Sequence, residues 1–438
     1  MARRGRLAVA AVVMLIVCAP DDWAQAIDRV LAPVNPRQVV ALGGHHPSWA
    51  QPEVDAGAVP AELRLEHLTL VLARPPAIQQ AFEQFLKNQQ DPASADYHHW
   101  LTPLEVGERF GLTMHDISAL KQWLESQNLQ VDSVSNSRVR INFSGTSAAM
   151  ADAFGSELHY FLGNGRKRIS IAGPPKIPAA LAPVVAGIHG LSSTEYHPLY
   201  KSRVGRLAGT PNLTFFIGDQ PVNLIVPADF AVIYDLNPVY AANITGAGQT
   251  IAVIGRSRTY DADIENLQLT VGMPVKDPVL IIPPDGFDPG PPETVPPAGF
   301  APSVDQGEAT LDVMRAGSTA PGATVDLVVS ASTLTTDGIA IAAPYVVDST
   351  PVPAKIMSLS FSACENEASQ QGVAFWDNVF SQAAAEGISV FVASGDSGAA
   401  GCEASFQPPS SSQIRSPNAL CSSSYATCVG GTEFADSN

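Results

Sequence analysis

The hydrophobic pattern of residues 27–195 predicts a small α+β domain. Apolar and polar residues alternate over 65–72 as in a strand, and residues 77–87 and 113–126 have the spacing of amphipathic helices, the second opened by Thr113. Two more strands, at 131–134 and 139–143, flank a turn at Asn136, and a helix over 148–154 follows them. Elements of these types and lengths form a sheet covered by helices.

A different pattern begins at Gly246 and extends to the end of the chain. Continuous apolar runs at 250–254, 325–329, 356–359 and 388–393 alternate with helical segments. Such runs are typical of strands buried on both faces, so we predict an α/β domain over 214–438 with a parallel sheet between two helical layers. The stretch 278–300 is rich in Pro and Gly and predicts a surface loop.

Residues 196–213 separate the two patterns. They contain Lys201, Arg203 and Arg206, together with Gly and Pro, and they show no apolar periodicity. We predict an exposed linker with a processing site, because proteolysis concentrates in exposed segments.

The first 26 residues predict a signal peptide. Arg3, Arg4 and Arg6 precede an apolar run over 7–19, and Ala24-Gln25-Ala26 provides a small-x-small cleavage pattern. The apolar run is shorter than the ~20 residues needed to cross a bilayer. We therefore expect a secreted protein, extracellular or periplasmic, with no membrane partner.

Cysteine usage agrees with export. Loss of the signal peptide removes Cys18 and leaves Cys364, Cys402, Cys421 and Cys428. An even number in an oxidising compartment predicts two disulfides. Three pairings are possible, and Cys421 with Cys428 and Cys364 with Cys402 is favoured because it closes the most local loops. None of these spacings is that of a zinc site.

Charge is concentrated in the second half of the chain. From Leu207 onward there are 24 Asp and Glu against 6 Lys and Arg, and the whole chain carries a formal net charge of −17. This distribution argues against a nucleic-acid partner. A carboxylate-rich surface suits a protein that works in acid, where self-repulsion falls, although solubility alone would also account for it.

Two serine-containing segments resemble catalytic loops. Ser144-Gly145-Thr146-Ser147 is similar to a subtilisin serine turn, and Gly395-Asp396-Ser397-Gly398 is similar to a chymotrypsin serine loop. Both would need a histidine base. All nine histidines precede residue 198, so the predicted second domain has none. Ser147 is instead predicted to cap the helix that begins at Ala148.

A hydrolase built on the second domain would therefore need a carboxylate base. Glu308 and Asp312 are four residues apart and share one helical face, where a buried pair would share a proton and one pKa would rise. The alternative is a solvated acidic face partly neutralised by Arg315. The apolar neighbours Leu311 and Val313 favour the buried pair.

Asp396 follows the apolar run 388–393 on a turn. Sites in parallel sheets cluster at the carboxyl ends of the strands, and a protonated aspartate there can donate a hydrogen bond to an oxyanion. The alternative is a residue that only stabilises the turn.

Taken in order, these segments resemble the sedolisin (kumamolisin-like) serine-carboxyl peptidases with their N-terminal activation domain. The resemblance covers most of the chain from about Leu63 and rests on 97–103 (YHHWLTP), 110–111 (FG), 141–146 (INFSGT), 246–253 (GAGQTIAV), Glu308 with Asp312, 394–399 (SGDSGA) and 429–432 (VGGT).

The resemblance implies a subtilisin-like fold, peptide or protein substrates, and an activation domain that inhibits its own peptidase until self-cleavage in acid. It implies that Glu308 is the base, that Asp312 supports Glu308, and that Asp396 stabilises the oxyanion. The family's nucleophilic serine, in a Gly-Thr-Ser segment, and its calcium ligands would lie beyond Asn438.

We therefore expect the chain as given to be inactive and to be a truncated form of a peptidase. Two other functions stay open: a catalytically dead secreted module that binds or inhibits, and an adhesin-like secreted protein.

Overall fold

The computed structural model describes residues 27–163, 166–199, 206–208, 214–217, 219–223, 225–293, 303–402 and 415–432. The predicted signal peptide lies outside these residues. Up to residue 198 the strands and helices alternate as predicted for an α+β domain. The elements are β1 (Val39–Ala41), β2 (Asp55–Ala58), β3 (Arg64–Leu72), α1 (Pro76–Gln90), α2 (Pro103–Phe110), α3 (Met114–Ser126), β4 (Gln130–Val134), β5 (Arg140–Thr146), α4 (Ser147–Phe154), β6 (Leu158–Gly163), β7 (Arg166–Ile171), β8 (Lys176–Pro178), β9 (Val185–His189) and β10 (His197–Pro198).

An antiparallel sheet forms the centre of this N-terminal domain. Its strand order is β4-β5-β3-β9. The alternating residues of β3, Leu68 and Leu70 among them, face a core closed by Trp123 of α3 and Phe154 of α4. The opposite face of β3 is buried as well, because Val71 packs in the core of the parallel-sheet domain.

Helix starts in this domain are set by threonine caps. The side chain of Thr113 accepts from the backbone N–H of Asp116, as predicted for α3. Thr102 and Glu105 form a capping box at α2, a helix that the hydrophobic pattern did not predict. The prediction that Ser147 caps α4 was wrong. Thr146 is the cap, and the Ser147 hydroxyl donates to the carbonyl of Pro60.

The second half of the described chain begins with short strands and then builds the α/β domain. Its elements are β11 (Arg206–Ala208), β12 (Thr214–Ile217), β13 (Gln220–Asn223), α5 (Pro227–Ile233), α6 (Asn237–Ala241), β14 (Thr250–Gly255), α7 (Asp261–Thr270), β15 (Val279–Ile281), α8 (Val304–Thr319), β16 (Thr324–Val329), α9 (Ile339–Asp348), β17 (Ile356–Leu359), β18 (Phe361–Ser362), α10 (Gln370–Ala385), β19 (Ser389–Ala393) and β20 (Thr427–Val429).

Six of these strands form a parallel sheet in the order β15-β16-β14-β17-β19-β20. Its two faces are covered by different helices. Ala252 and Ile254 of β14 belong to the core that contains α9 and α10, whereas Val253, between them, packs with Ile264 of α7 and Val313 of α8. This confirms the predicted α/β sheet with helices on both faces.

Two predictions for irregular segments need correction. The Pro- and Gly-rich stretch 278–300 was predicted as a surface loop, but Val279–Ile281 forms the edge strand β15. The linker predicted over 196–213 contains β10, which pairs with β18 of the parallel-sheet domain. Short edge strands carry too few residues for a periodic signal, so only their pairing reveals them.

The two domains share a buried interface centred on α10. This helix packs against β9 and α1 of the N-terminal domain and against β19 of its own domain. His189 stacks on Phe375 across the interface, with ring centroids 4.1 Å apart. In the described part of the chain, no helix is long and apolar enough to cross a membrane.

Candidate active site

The carboxyl pair lies on α8, which Ser303 caps by accepting from the N–H of Gln306. Glu308 and Asp312 are one turn apart on this helix, and Glu308 is 3% exposed. Ala309 and Val313 anchor the same stretch of α8 against β14 and β16. Of the two apolar neighbours that predict a buried pair, Val313 is buried, whereas Leu311 is 38% exposed.

Burial governs the electrostatics of the pair. Burial and then the negative charge of Asp312 raise the pKa of Glu308 to about 9. Burial also raises the pKa of Asp312, to about 6, against hydrogen bonds from Ser360 and Glu308 that lower it. Among the described residues no donor reaches Oε2 of Glu308 or Oδ2 of Asp312, although both atoms are buried. A proton held between the two carboxyl groups supplies the missing donor.

Ser360 completes the surroundings of the pair. It follows β17, and its hydroxyl donates to Oδ1 of Asp312 at 2.9 Å. It also lies within hydrogen-bonding reach of Glu308. Sequence reasoning missed this residue. The available signal was a polar residue directly after a buried parallel strand, which is where sites in such sheets form.

Asp396 lies on the loop after β19, where Gly395 adopts a φ of 111° that favours glycine. Its side chain is exposed, and its negative charge adds to the causes that raise the pKa of Glu308. The structure therefore brings Glu308, Asp312 and Asp396 into one electrostatic neighbourhood at the carboxyl edge of the sheet. Their catalytic roles stay predictions.

Two disulfides surround this edge. Cys364 bonds to Cys402 and Cys421 bonds to Cys428, which is the favoured pairing. The first joins the segment after β18 to the loop that carries Asp396. Asn418 adds to this connection, because its side chain donates to the carbonyls of Phe361 and Ala393.

A strand from the N-terminal domain lies along the site. Residues His197 and Pro198 pair antiparallel with Ser362 and Phe361, and the N–H of Leu199 donates to the carbonyl of Ser360 at 3.1 Å. Residues 200–205, which include Lys201, are outside the described residues. The segment that leads into the predicted processing region therefore passes Ser360, the residue that contacts the carboxyl pair.

The alternatives based on histidine find no support in this geometry. His197 is the histidine on the strand beside the site, but the charges that act on its pKa are those of Glu195, Arg166, Arg256 and Glu367, not those of the carboxyl pair. Ser147 and its neighbours lie at the start of α4, in the other domain.

Comparisons with known proteins agree with this arrangement. Residues 53–194 match the family model "Pro-kumamolisin, activation domain". The chain is 28% identical over 368 residues to xanthomonalisin of Xanthomonas sp. (strain T-22), an alignment that covers 79% of the chain and 41% of that protein. It is 27% identical over 361 residues to kumamolisin of Bacillus sp. (strain MN-32), with 82% and 61% covered.

A third relative is also similar to most of this chain. Sedolisin of Pseudomonas sp. (strain 101) is 25% identical over 356 residues, which is 80% of the chain and 57% of that protein. The chain thus spans about half the length of the curated relatives it matches. The activation-domain match and the alignments that continue through the parallel-sheet domain point to the same group. The chain thus contains a Pro-kumamolisin activation domain and is similar, over about 80% of its length, to the sedolisin-type peptidases xanthomonalisin, kumamolisin and sedolisin.

Proposed function

We propose that the chain is the precursor of a secreted peptidase that hydrolyses peptide bonds in proteins or peptides under acidic conditions. Glu308 is the general base for a serine hydroxyl, Asp312 supports Glu308, and Asp396 donates a hydrogen bond to the oxyanion. The observation that carries the proposal is the buried Glu308–Asp312 pair beside Asp396 at the carboxyl edge of a parallel sheet. The serine is assigned to no residue of this chain.

The pair accepts the proton of the serine as a unit. The outer oxygen of Glu308 takes that proton while the proton between the two carboxyl groups moves to Asp312. The serine oxygen then bonds to the substrate carbonyl carbon, and the carbonyl electrons move to the oxygen, where Asp396 donates its hydrogen bond. As the C–N bond breaks, the outer oxygen of Glu308 gives its proton to the leaving amine and the shared proton moves back from Asp312 to Glu308. Water then repeats the sequence on the acyl-enzyme and releases the serine hydroxyl.

Acidic conditions follow from these roles. Asp396 can donate a hydrogen bond only when it is protonated, which favours acidic conditions, whereas the carboxyl pair keeps its one proton above pH 6 as well because burial raises both of its pKa values. Neither condition requires a histidine. Acid also suits a chain segment that, after residue 206, has 24 Asp and Glu against 6 Lys and Arg, because protonation lowers its self-repulsion.

The activation domain is proposed to inhibit the peptidase intramolecularly until it is cut within 196–213. The pairing of β10 with β18, and the bond from Leu199 to Ser360, support this, because an extended segment already occupies the edge beside the carboxyl pair. Export by the predicted signal peptide is supported by the two disulfides, which persist in oxidising compartments. A calcium site remains a further expectation from the family, with no ligands assigned here.

The test uses the protein expressed from its complete coding sequence. Acidification should release the activation domain and start hydrolysis of a denatured protein substrate, and both should be lost in Glu308→Gln and in Asp396→Asn. Glu265→Gln, on α7, is the matched control and should behave as the unaltered protein. Retained self-cleavage in Glu308→Gln contradicts the assigned base. A folded, unaltered protein that never hydrolyses favours the binding or inhibitory module instead.

A further inference from the structure

Ser360 contacts both the carboxyl pair and the segment after β10 that lies beside it. Its side chain lies against the carboxyl pair, where the hydroxyl donates to Oδ1 of Asp312 at 2.9 Å. Its main-chain carbonyl accepts from the N–H of Leu199, on the strand that occupies the edge of the site. The residue stands between β17 and β18, so paired strands on both sides fix its backbone.

We propose that Ser360 is a positioning residue whose hydroxyl holds Asp312 in its ionised form and thereby places the shared proton on Glu308. The inference rests on the proposed function, because it assigns the protonation state of the proposed base.

The hydrogen-bonding capacity of the three groups supports this assignment. A serine hydroxyl has one proton to donate, and here it is donated to Asp312. When Glu308 carries the shared proton it is a second donor to Asp312 and lowers the pKa of Asp312. Asp312 then accepts from two donors and is the better stabilised anion. Ser360 is also within reach of Glu308, but its single proton is donated to Asp312.

Other charged groups near the pair also favour ionisation of Asp312 over that of Glu308. The negative charges that act on Glu308 are those of Asp312 on its own helix and Asp396 on the loop after β19. Both disfavour ionisation of Glu308. For Asp312, Ser360 and Glu308 are the neighbouring groups that lower the pKa against burial. The Ser360 hydroxyl is within reach of both carboxyl groups, but its proton is donated to Asp312 at 2.9 Å, which favours ionisation of Asp312 over that of Glu308.

The direct experiment is a carboxyl titration by NMR of the chain labelled with ¹³C in Asp and Glu side chains, with signals assigned through Glu308→Gln and Asp312→Asn. In Ser360→Ala we expect the Asp312 titration to move to higher pH by about one unit, since a hydrogen bond to a charged group is lost. Ser360→Thr keeps the hydroxyl and should restore the original titration. Ser362→Ala, two residues away on β18, should leave it unchanged.

A second readout separates this inference from the proposed function. In the protein from the complete coding sequence, the acid limb of the pH–activity profile should move up in Ser360→Ala by the same amount and return in Ser360→Thr. If Glu308→Gln abolishes hydrolysis while Ser360→Ala moves neither the titration nor the profile, the Ser360 assignment is overturned and the peptidase function stands. If Glu308→Gln retains hydrolysis, the proposed base is wrong, and the NMR titration still decides the role of Ser360.

Discussion

Arg140 of the N-terminal domain donates from Nη2 to Oε1 of Gln382 on α10, at 2.7 Å and out of contact with water. The other terminal nitrogen of the same guanidinium donates to Oδ1 of Asn378 at 2.7 Å, and Asp348 lies 3.9 Å away. The buried guanidinium of Arg140 therefore joins the two domains through directional N–H donors that lie in one plane. Burial lowers the pKa of Arg140, and the charges of Asp348 and Glu386 oppose that effect.

Arg140→Met should loosen the contact between the domains. The substitution leaves the side-chain oxygens of Asn378 and Gln382 buried without their donor, which costs about 2–5 kcal/mol at such a site. We expect a loss of that size in the free energy of unfolding, measured by urea titration at pH 7. Arg64→Met is the control, because Arg64 is about half exposed and pairs with Glu66 at the surface. Equal losses in the two variants would contradict a special role for Arg140.

The N-terminal domain should lose stability in acid because of His189. Burial lowers the pKa of this histidine to about 4, and its ring stacks on Phe375. A histidine that is neutral in the fold favours the folded state above its unfolded pKa of about 6.5, and this contribution is lost as pH falls from there towards 4. The loss amounts to about 3 kcal/mol by pH 4.

His189→Phe removes the group that must ionise and keeps an aromatic ring against Phe375. The difference in unfolding free energy between pH 7 and pH 4 should therefore shrink by about 3 kcal/mol. The measurement is best made in a Glu308→Gln background, so that self-cleavage does not intervene. His46→Phe, at an exposed histidine, should keep the original difference. An unchanged acid dependence in His189→Phe would refute this source of instability.

Glu386 should have the opposite pH dependence. Burial raises its pKa to about 9, and within the described part of the chain Gln382 donates to Oε1 at 2.9 Å while the buried Oε2 has no donor. Because the folded pKa is above the unfolded value, its favourable contribution is complete below about pH 4.5 and is lost as pH rises towards 9. Glu386→Gln should raise the unfolding free energy at pH 7 by about 2–3 kcal/mol and have little effect at pH 4. The same gain at both pH values would show that its ionisation is not the cause.

The hydrophobic pattern predicted the parallel sheet well because β14 and β16 are buried over most of their length, although β19 alternates between buried and exposed residues. The run 325–329 is apolar except for the buried Asp326, and so short an apolar run bounded by turns is typical of a buried strand. By contrast, β10 and β15 have two and three residues and exist only through their partners. For α2 the sequence did contain a signal, the Thr102-x-x-Glu105 capping box at its start.

The carboxyl pair was predictable from spacing, since residues four apart on a helix must share a face. Its burial followed from Val313 but not from Leu311, which is exposed. Ser360 could not be found in this way, because it lies 48 residues from Asp312 and their contact depends on the order of the strands. The sequence also could not decide whether Thr146 or Ser147 caps α4. Both residue types cap helices, and the backbone conformation determines which one does so.

The disulfide between Cys364 and Cys402 should matter more for stability than the one between Cys421 and Cys428. The first closes a loop of 38 residues and the second a loop of 7. A longer loop restricts the unfolded chain more, so replacing both cysteines by serine should cost about 4 kcal/mol for the first bond and about 2 kcal/mol for the second. The measurement is urea unfolding of the two double variants under non-reducing conditions.

The first bond also ties the Asp396 loop to the segment after β18. In the protein from the complete coding sequence, Cys364→Ser with Cys402→Ser should therefore lower kcat at temperatures where the protein remains folded, because Asp396 loses its fixed position relative to the carboxyl pair. The matched pair Cys421→Ser with Cys428→Ser should change kcat less. If the two double variants lose kcat equally, the connection through Cys402 does not position Asp396. If the order of their stabilities is reversed, loop length does not set their stabilisation.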